Sequence, residues 1–235
     1  MPYFLKTRAT HLSEMMDDPA CDLETLRRTY AQFGAVNRLV SGWEGTYKRF
    51  VRPLAASQPV HLLDVGSGGG DIPRKLAVWA TRDGVALRVT AIDPDERATA
   101  YAQSQPHPRN VTFRCASTGD LVQAGERFDL VMSNHLLHHL SAEEVEKVCL
   151  ESAHLSRGPV IHKDLERADL AYAGFMALAT PLFRRSFIVH DGLVSICKSF
   201  TMDELRGVAR KVEIPGWRVE RSFPFHLLLI RDGNA

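Results

Sequence analysis

The segment of this chain best able to organise chemistry is Leu62-Leu-Asp-Val-Gly-Ser-Gly-Gly-Gly-Asp71. An apolar run ends on the carboxylate of Asp64, and a glycine-rich turn then leads into a helix expected to open near Ile72. Glycine permits positive φ and close approach of backbone to ligand, and a helix N-terminus attracts anions, so a dinucleotide pyrophosphate is the first candidate. Two details oppose it. The pattern Gly-x-Gly-x-x-Gly, counted from Gly66, needs its last glycine where Asp71 stands. Asp64 and Asp71 would also bracket a diphosphate with negative charge, whereas an ammonium and a sulfonium would be welcome there.

A second carboxylate, Asp93 in Ala91-Ile-Asp-Pro94, follows the glycine turn at about the 20-residue separation at which an acidic side chain takes ribose hydroxyls. One carboxylate can accept from both hydroxyls. A ribose diol together with a cationic amino-acid tail describes S-adenosylmethionine.

The histidines are the candidates for proton transfer. His135, His138 and His139 cluster at a spacing that invites a zinc reading, but none of the four cysteines (Cys21, Cys115, Cys149 and Cys197) forms a C-x-x-C pair, and no metal is expected. A phenol has a pKa near about 10, so an imidazole within hydrogen-bond reach would help to remove its proton. His135, His138, His162 and His190 are the possible bases. His138 and His190 are the preferred pair and His135 the third catalytic candidate.

The elements that must position these residues follow from apolar patterning. Seven short apolar runs, at 61–65, 86–93, 111–114, 128–133, 159–162, 217–222 and 226–231, read as strands. Helical patterns at 72–80, 95–103, 142–155 and 202–212 lie between them. This alternation predicts an α/β, Rossmann-like, seven-stranded and mostly parallel sheet with helices on both faces. The short turn at Pro224 makes the last strand antiparallel, because a parallel crossover needs a longer connection. Residues 1–55 read as a helical N-terminal cap, with Leu23, Leu26, Tyr30 and Phe33 at helical spacing and Asp22 as an N-cap. Residues 56–235 form the Rossmann-like domain. Its aromatic-rich stretch at about 165–198 reads as a helical insertion over the carboxyl ends of the strands, where such sheets bind ligands.

Composition narrows the classes of function. With 45% hydrophobic and 24% charged residues the chain can bury a sizeable core. A formal net charge of +1 gives no electrostatic reason to expect nucleic acid. The absence of a secretion signal and of a membrane-length apolar run, together with unpaired cysteines, leads us to expect a cytoplasmic protein.

These motifs resemble those of the class I S-adenosylmethionine-dependent methyltransferases. Asp64-Val-Gly-Ser-Gly-Gly-Gly70 resembles their first motif and Asp93 the acidic end of their second strand. Phe128-Asp-Leu-Val-Met-Ser-Asn134 with His135-Leu-Leu-His-His-Leu140 resembles their fourth-strand motif. The resemblance covers residues 60 to 165 best. Within the class it leans toward small-molecule enzymes of quinone biosynthesis and of polyketide and phenolic-lipid tailoring. It implies methylation, at oxygen or carbon, of a phenolic, quinone-like or polyketide-type acceptor, with a homodimer as an option. The residues it implies for the cofactor are Asp64, Gly66, Ser67, Gly68, Asp93, Pro94, Ala116, Ser117, Asn134 and Tyr30. The sequence departs from the pattern after the third strand, where Cys115-Ala-Ser-Thr118 replaces an acidic residue and leaves adenine to Ser117 or to backbone contacts. Metal-dependent members carry carboxylates after strands four and five; here only Asp164 is present. A nicotinamide-dependent oxidoreductase and a non-catalytic S-adenosylmethionine-binding protein are the alternatives.

Overall fold

A computed structural model describes residues 2–233. Each apolar run is a strand: β1 (Val60–Val65), β2 (Leu87–Asp93), β3 (Val111–Cys115), β4 (Leu130–Asn134), β5 (Val160–Leu165), β6 (Trp217–Ser222) and β7 (His226–Arg231). They form one sheet in the order β3-β2-β1-β4-β5-β7-β6. The first five are parallel, and β7 runs antiparallel to both β5 and β6. Strand order reverses between β1 and β4, which opens a crevice at their carboxyl ends.

The parallel pairing follows from the crossovers. α4 (Asp71–Arg82), α5 (Glu96–Ser104), α6 (Thr118–Gln123) and α7 (Ala142–Leu155) each return the chain to the same edge of the sheet. Central strands are covered on both faces and therefore read as nearly continuous apolar runs. On one face Leu62, Leu130, Met132 and Ile230 pack against Ile72 and Leu76 of α4 and against Trp43 and Tyr47. On the other, Leu63 and Val131 pack with Leu121 and Leu155, while Leu227 and Leu229 meet Val145 of α7 and Leu205 of α10 (Met202–Ala209). The sequence reading passed over α6, which has only six residues and contains Gly119.

Ahead of the sheet lies α1 (Leu23–Val40), capped as expected by Asp22, whose Oδ1 accepts from Thr25 N at 2.8 Å. Leu26 and Tyr30 are buried, but Leu23 is 53% exposed, so the apolar stripe is narrower than its spacing suggests. α2 (Trp43–Thr46), a π turn (Tyr47–Val51) and α3 (Arg52–Ser57) then run end to end. The aromatic-rich stretch forms α8 (Asp169–Leu182) and α9 (Ile188–Lys198). Buried Arg167 ties the N-terminal segment to this region, donating to the carbonyls of Leu5, Lys6 and Ser199 and, at 2.6 Å, to Glu204 Oε1. Among the described residues no helix is long and apolar enough to cross a membrane.

The glycine turn is held by packing as well as by conformation. Gly70 has φ 75°, and a Cβ there would stand 2.4 Å from Cε1 of Phe113. We expect Gly70→Ala to lower stability by about 2–4 kcal/mol, from left-handed strain plus overpacking. Urea unfolding checks this. Gly45→Ala is the control: an added Cβ at Gly45 meets nothing within 4 Å, so this variant should be at least as stable as the parent.

Candidate active site

The carboxyl ends of the parallel strands carry Asp64, Asp93, Asn134 and Leu165, and all four line one cavity of about 720 Å³. That volume suits a small-molecule site. Its floor is the glycine turn. Gly66, Gly68 and Gly70 all have positive φ. The N–H groups of Gly66 and Ser67 donate to Ile92 O at 2.9 and 3.0 Å, stitching the turn to β2. Gly68 N donates to Asp93 Oδ2 at 2.8 Å, and Asp95 N donates to Asp93 Oδ1 at 2.9 Å. Asp93 is thereby aimed by two backbone amides while it still lines the cavity.

Asp64 is the unusual group. It is 2% exposed, and its Oδ1 has no hydrogen-bond partner. Burial raises its pKa well above the usual carboxylate range, and the charges of Asp71 and Asp93 raise it further. Asp71 itself is partnered by Asn37 Nδ2 and by Lys75 Nζ at 3.2 Å. A buried carboxylate that lacks a donor and is repelled by two others favours a cationic, hydrogen-bond-donating ligand.

α1 covers this floor. A Cβ on Gly69 would come within 2.9 Å of Tyr30 Cβ, so only glycine lets the helix lie so close. Tyr30 lines the cavity and packs on Tyr101, with ring centroids 5.1 Å apart. Asn134 Oδ1 accepts from Trp43 Nε1 at 2.6 Å, which leaves its amide group to donate into the cavity. Of the ten residues expected at the cofactor, Asp64, Gly66, Ser67, Gly68, Asp93, Pro94, Asn134 and Tyr30 come together here. Ala116 and Ser117 do not. Ser117 is exposed and caps α6, its N–H and Oγ both bonding Asp120 Oδ2 at 2.8 and 2.7 Å. The sequence carries that signal, because Ser117-x-x-Asp120 is a capping-box pattern.

The histidines depart furthest from expectation. His138 is 2% exposed and is not a free base. Its Nδ1 lies 2.7 Å from Asp164 Oδ1 and its Nε2 3.4 Å from Glu14 Oε1, and its backbone N–H donates to Asp164 Oδ2. Burial opposes its charge, but Asp164 and then Glu14 outweigh burial and push its pKa up to about 10. Glu14 is held down at about 2: burial would raise it, but the hydrogen bond and charge of His138, helped by His139 and Lys198, prevail. His138 is therefore an imidazolium clamped between two carboxylates. His190 does not pair with it; His190 is half-exposed, bonds its neighbour Asp191 at 2.8 Å and is not among the residues lining the cavity. His162 lies inside the sheet on Ser133 Oγ, its pKa lowered by burial to about 4. His135 alone of the three catalytic candidates lines the cavity without a carboxylate on its ring.

Glu14, His138 and His139 place three ligating atoms within 4.8 Å of one another. Lys198 Nζ lies 3.4 Å from Glu14 Oε1, however, and Ser195 Oγ donates to the same oxygen at 3.0 Å. Glu14 Oε1 is thus already engaged by protein donors. Sequence reasoning missed Glu14, whose surroundings carry no periodic pattern, and missed His226, which reads as the first residue of an ordinary strand.

The remaining wall is apolar. Phe33 and Val36 of α1, Phe175 and Leu178 of α8, Ile188 of α9 and Phe225 of the β6–β7 turn face the same cavity. α8 and α9 thus contribute side chains to the same cavity as the carboxyl ends of the strands.

Comparison with known proteins agrees with this geometry. The methyltransferase domain family matches residues 62–157. A ubiquinone biosynthesis O-methyltransferase of Methylobacterium is 34% identical over 93 residues, which is 38% of this chain and 33% of that protein. Its counterpart in Rhizobium leguminosarum is 28% identical over 102 residues, 43% of this chain and 37% of that protein. The chain thus spans between about a third and a half of the length of the curated relatives it matches. Magnesium protoporphyrin IX methyltransferase from Synechocystis PCC 6803, solved with bound SAH, superposes with a TM-score of 0.50 at 18% identity, covering 83% of this chain and 84% of that one. A plantazolicin methyltransferase, also with SAH, gives a TM-score of 0.54 at 16% identity, covering 89% and 96%. Residues 62–157 match the methyltransferase domain family, and the chain shares the fold of the solved methyltransferases on which it superposes.

Proposed function

We propose that this chain transfers a methyl group from S-adenosylmethionine to an apolar small-molecule acceptor, a phenolic, quinone-like or polyketide-type compound methylated at oxygen or carbon. The observation that carries the reading is the unpartnered buried carboxylate of Asp64, set beside Asp93 and a glycine turn, in a cavity whose other end is aromatic and aliphatic. Bound S-adenosylmethionine supplies an electrophilic methyl and an uncharged thioether leaving group. Asp64, Gly66, Ser67 and Gly68 hold the amino-acid end, Asp93 and Pro94 take the ribose, and Tyr30 closes over the turn. Asn134 donates toward the junction of the two lobes, and His135 is the residue placed to take a proton. The apolar lobe positions the acceptor and excludes water, and for a displacement with so good a leaving group alignment and desolvation are the main contributions. Residues 1–55 act as the cap and residues 56–235 as the domain that carries the site. We expect the protein to work in the cytoplasm. The likeness to O-methyltransferases of ubiquinone biosynthesis supports the acceptor class.

Calorimetry with S-adenosylhomocysteine and with NAD tests the reading. Binding of the nucleoside sulfide and none of the dinucleotide is expected, and the reverse would overturn it. Transfer of labelled methyl to a panel of phenols then separates an enzyme from a protein that only binds the cofactor.

A further inference from the structure

His135 and His226 face one another with their Nε2 atoms 2.9 Å apart and their ring planes within 18°. His226, the first residue of β7, is 1% exposed, and its Nδ1 contacts the carbonyl oxygen of Pro224. A carbonyl only accepts, so Nδ1 of His226 carries the proton. A neutral imidazole has one N–H and one lone pair, so the lone pair of His226 is on Nε2. The proton shared between the rings must then come from Nε2 of His135, which leaves the lone pair of His135 on Nδ1. Burial, followed by the adjacent imidazole, lowers the pKa of His135 well below its usual value, and burial with the charge of Lys163 brings His226 down to about 4, so both rings are neutral near pH 7. Among the described residues no protein group bonds Nδ1 of His135, and the residue lines the cavity next to Asn134. Its backbone is pinned as well, with φ 55° and its N–H on Lys163 O at 2.8 Å.

We infer that His226 is a positioning residue that fixes His135 in the tautomer whose Nδ1 accepts the proton of the methyl acceptor. The inference rests on the methyltransferase reading above. In the step it serves, the bond from the acceptor oxygen to the methyl carbon forms as the methyl–sulfur bond breaks with its electron pair going to sulfur. The acceptor proton passes to Nδ1 of His135. The positive charge lost at sulfur reappears on the imidazole, so the net charge of the cavity is unchanged. Asp164 favours that charge; Lys163 and the charged His138 oppose it.

The test is long-range proton–nitrogen NMR of the whole chain labelled with ¹⁵N-histidine, with signals assigned through the loss of one histidine in His135→Gln and in His226→Phe. The expected wild-type pattern is His135 protonated on Nε2 only and His226 on Nδ1 only. In His226→Phe the single-tautomer pattern of His135 is lost. In His226→Gln the amide oxygen accepts from Nε2, and the pattern returns. A purely structural role for His226 would leave the tautomer of His135 unmoved in both variants. The wild-type spectrum decides by itself if a variant fails to fold: His135 protonated on Nδ1, or on both nitrogens, overturns the inference. Calorimetry with S-adenosylhomocysteine is run on the same samples. Binding together with the wrong tautomer defeats this inference alone, whereas the expected tautomer without binding defeats the methyltransferase reading and the base role with it.

Discussion

Replacing Asp93 with alanine is expected to weaken binding of S-adenosylhomocysteine about 30- to 150-fold, the equivalent of about 2–3 kcal/mol for a charge-assisted acceptor. Two contributions combine. The variant removes the acceptor of the ribose hydroxyls, and it also frees Gly68 N, which donates to Asp93 Oδ2 at 2.8 Å and holds the turn in place. Asp93→Asn keeps an oxygen for one of these partners and should fall between alanine and wild type. Because burial and then Asp95 raise the pKa of Asp93, despite the amides that favour its charged form, the wild-type affinity should decline on acidification sooner than an ordinary aspartate would cause. Titration calorimetry at two pH values measures both effects. An Asp93→Ala variant that bound as tightly as wild type would remove Asp93 from the site.

The second large effect is on stability. His138→Leu should lower the unfolding free energy by about 3–5 kcal/mol, because it leaves two buried carboxylates without the cation between them. For a chain of this size that corresponds to a fall in Tm of about 6–20 °C. The pH dependence should change with it. In wild type the imidazole rises from 6.5 to about 10 on folding, so its contribution is complete below pH 6.5 and is lost as the pH climbs toward 10. Glu14 moves the other way, from 4.5 to about 2, so its contribution is complete above pH 4.5 and is lost as the pH falls toward 2. Asp164 is lowered in the same sense: burial would raise it, but His138 holds it down. This cluster is therefore most favourable between pH 4.5 and 6.5 in wild type. In His138→Leu the alkaline loss disappears. Glu14, left with His139, Lys198 and the Ser195 hydroxyl, and Asp164, deprived of its cation, take up protons more readily, so the variant gains stability on acidification. Urea midpoints measured at about pH 5 and about pH 9 distinguish the two profiles. A His138→Leu protein with an unaltered alkaline limb would show that the clamp is not charged.

The parts of the site that were legible in the sequence are those whose chemistry is local. Asp64, the glycines and Asp71 follow one another within a few residues, and the backbone of that turn follows directly from residue type and order. Ser117 shows how local signals can compete: a strand-end position suggested a ligand contact, but the capping pattern with Asp120, three residues on, claims the hydroxyl. The seven strands and their order of appearance could be read because each is a short apolar run bounded by turn residues.

The roles of the histidines could not be read in this way. His138, His135 and His190 are chemically the same residue, and what separates them is the identity of their neighbours. Those neighbours are Glu14 and Asp164 for His138 and His226 for His135, brought together from opposite ends of the chain. An imidazole titrates close to neutrality, so one buried carboxylate or one buried carbonyl decides whether it is a cation, a base or a donor. Residue order by itself settled the strand–helix alternation, the glycine turn and the acidic strand ends, because hydrophobic periodicity and backbone freedom act over a few neighbouring positions. Only the tertiary structure decided which histidine is clamped between carboxylates and which meets another imidazole, because burial and charge pairing depend on contacts between residues far apart in the chain.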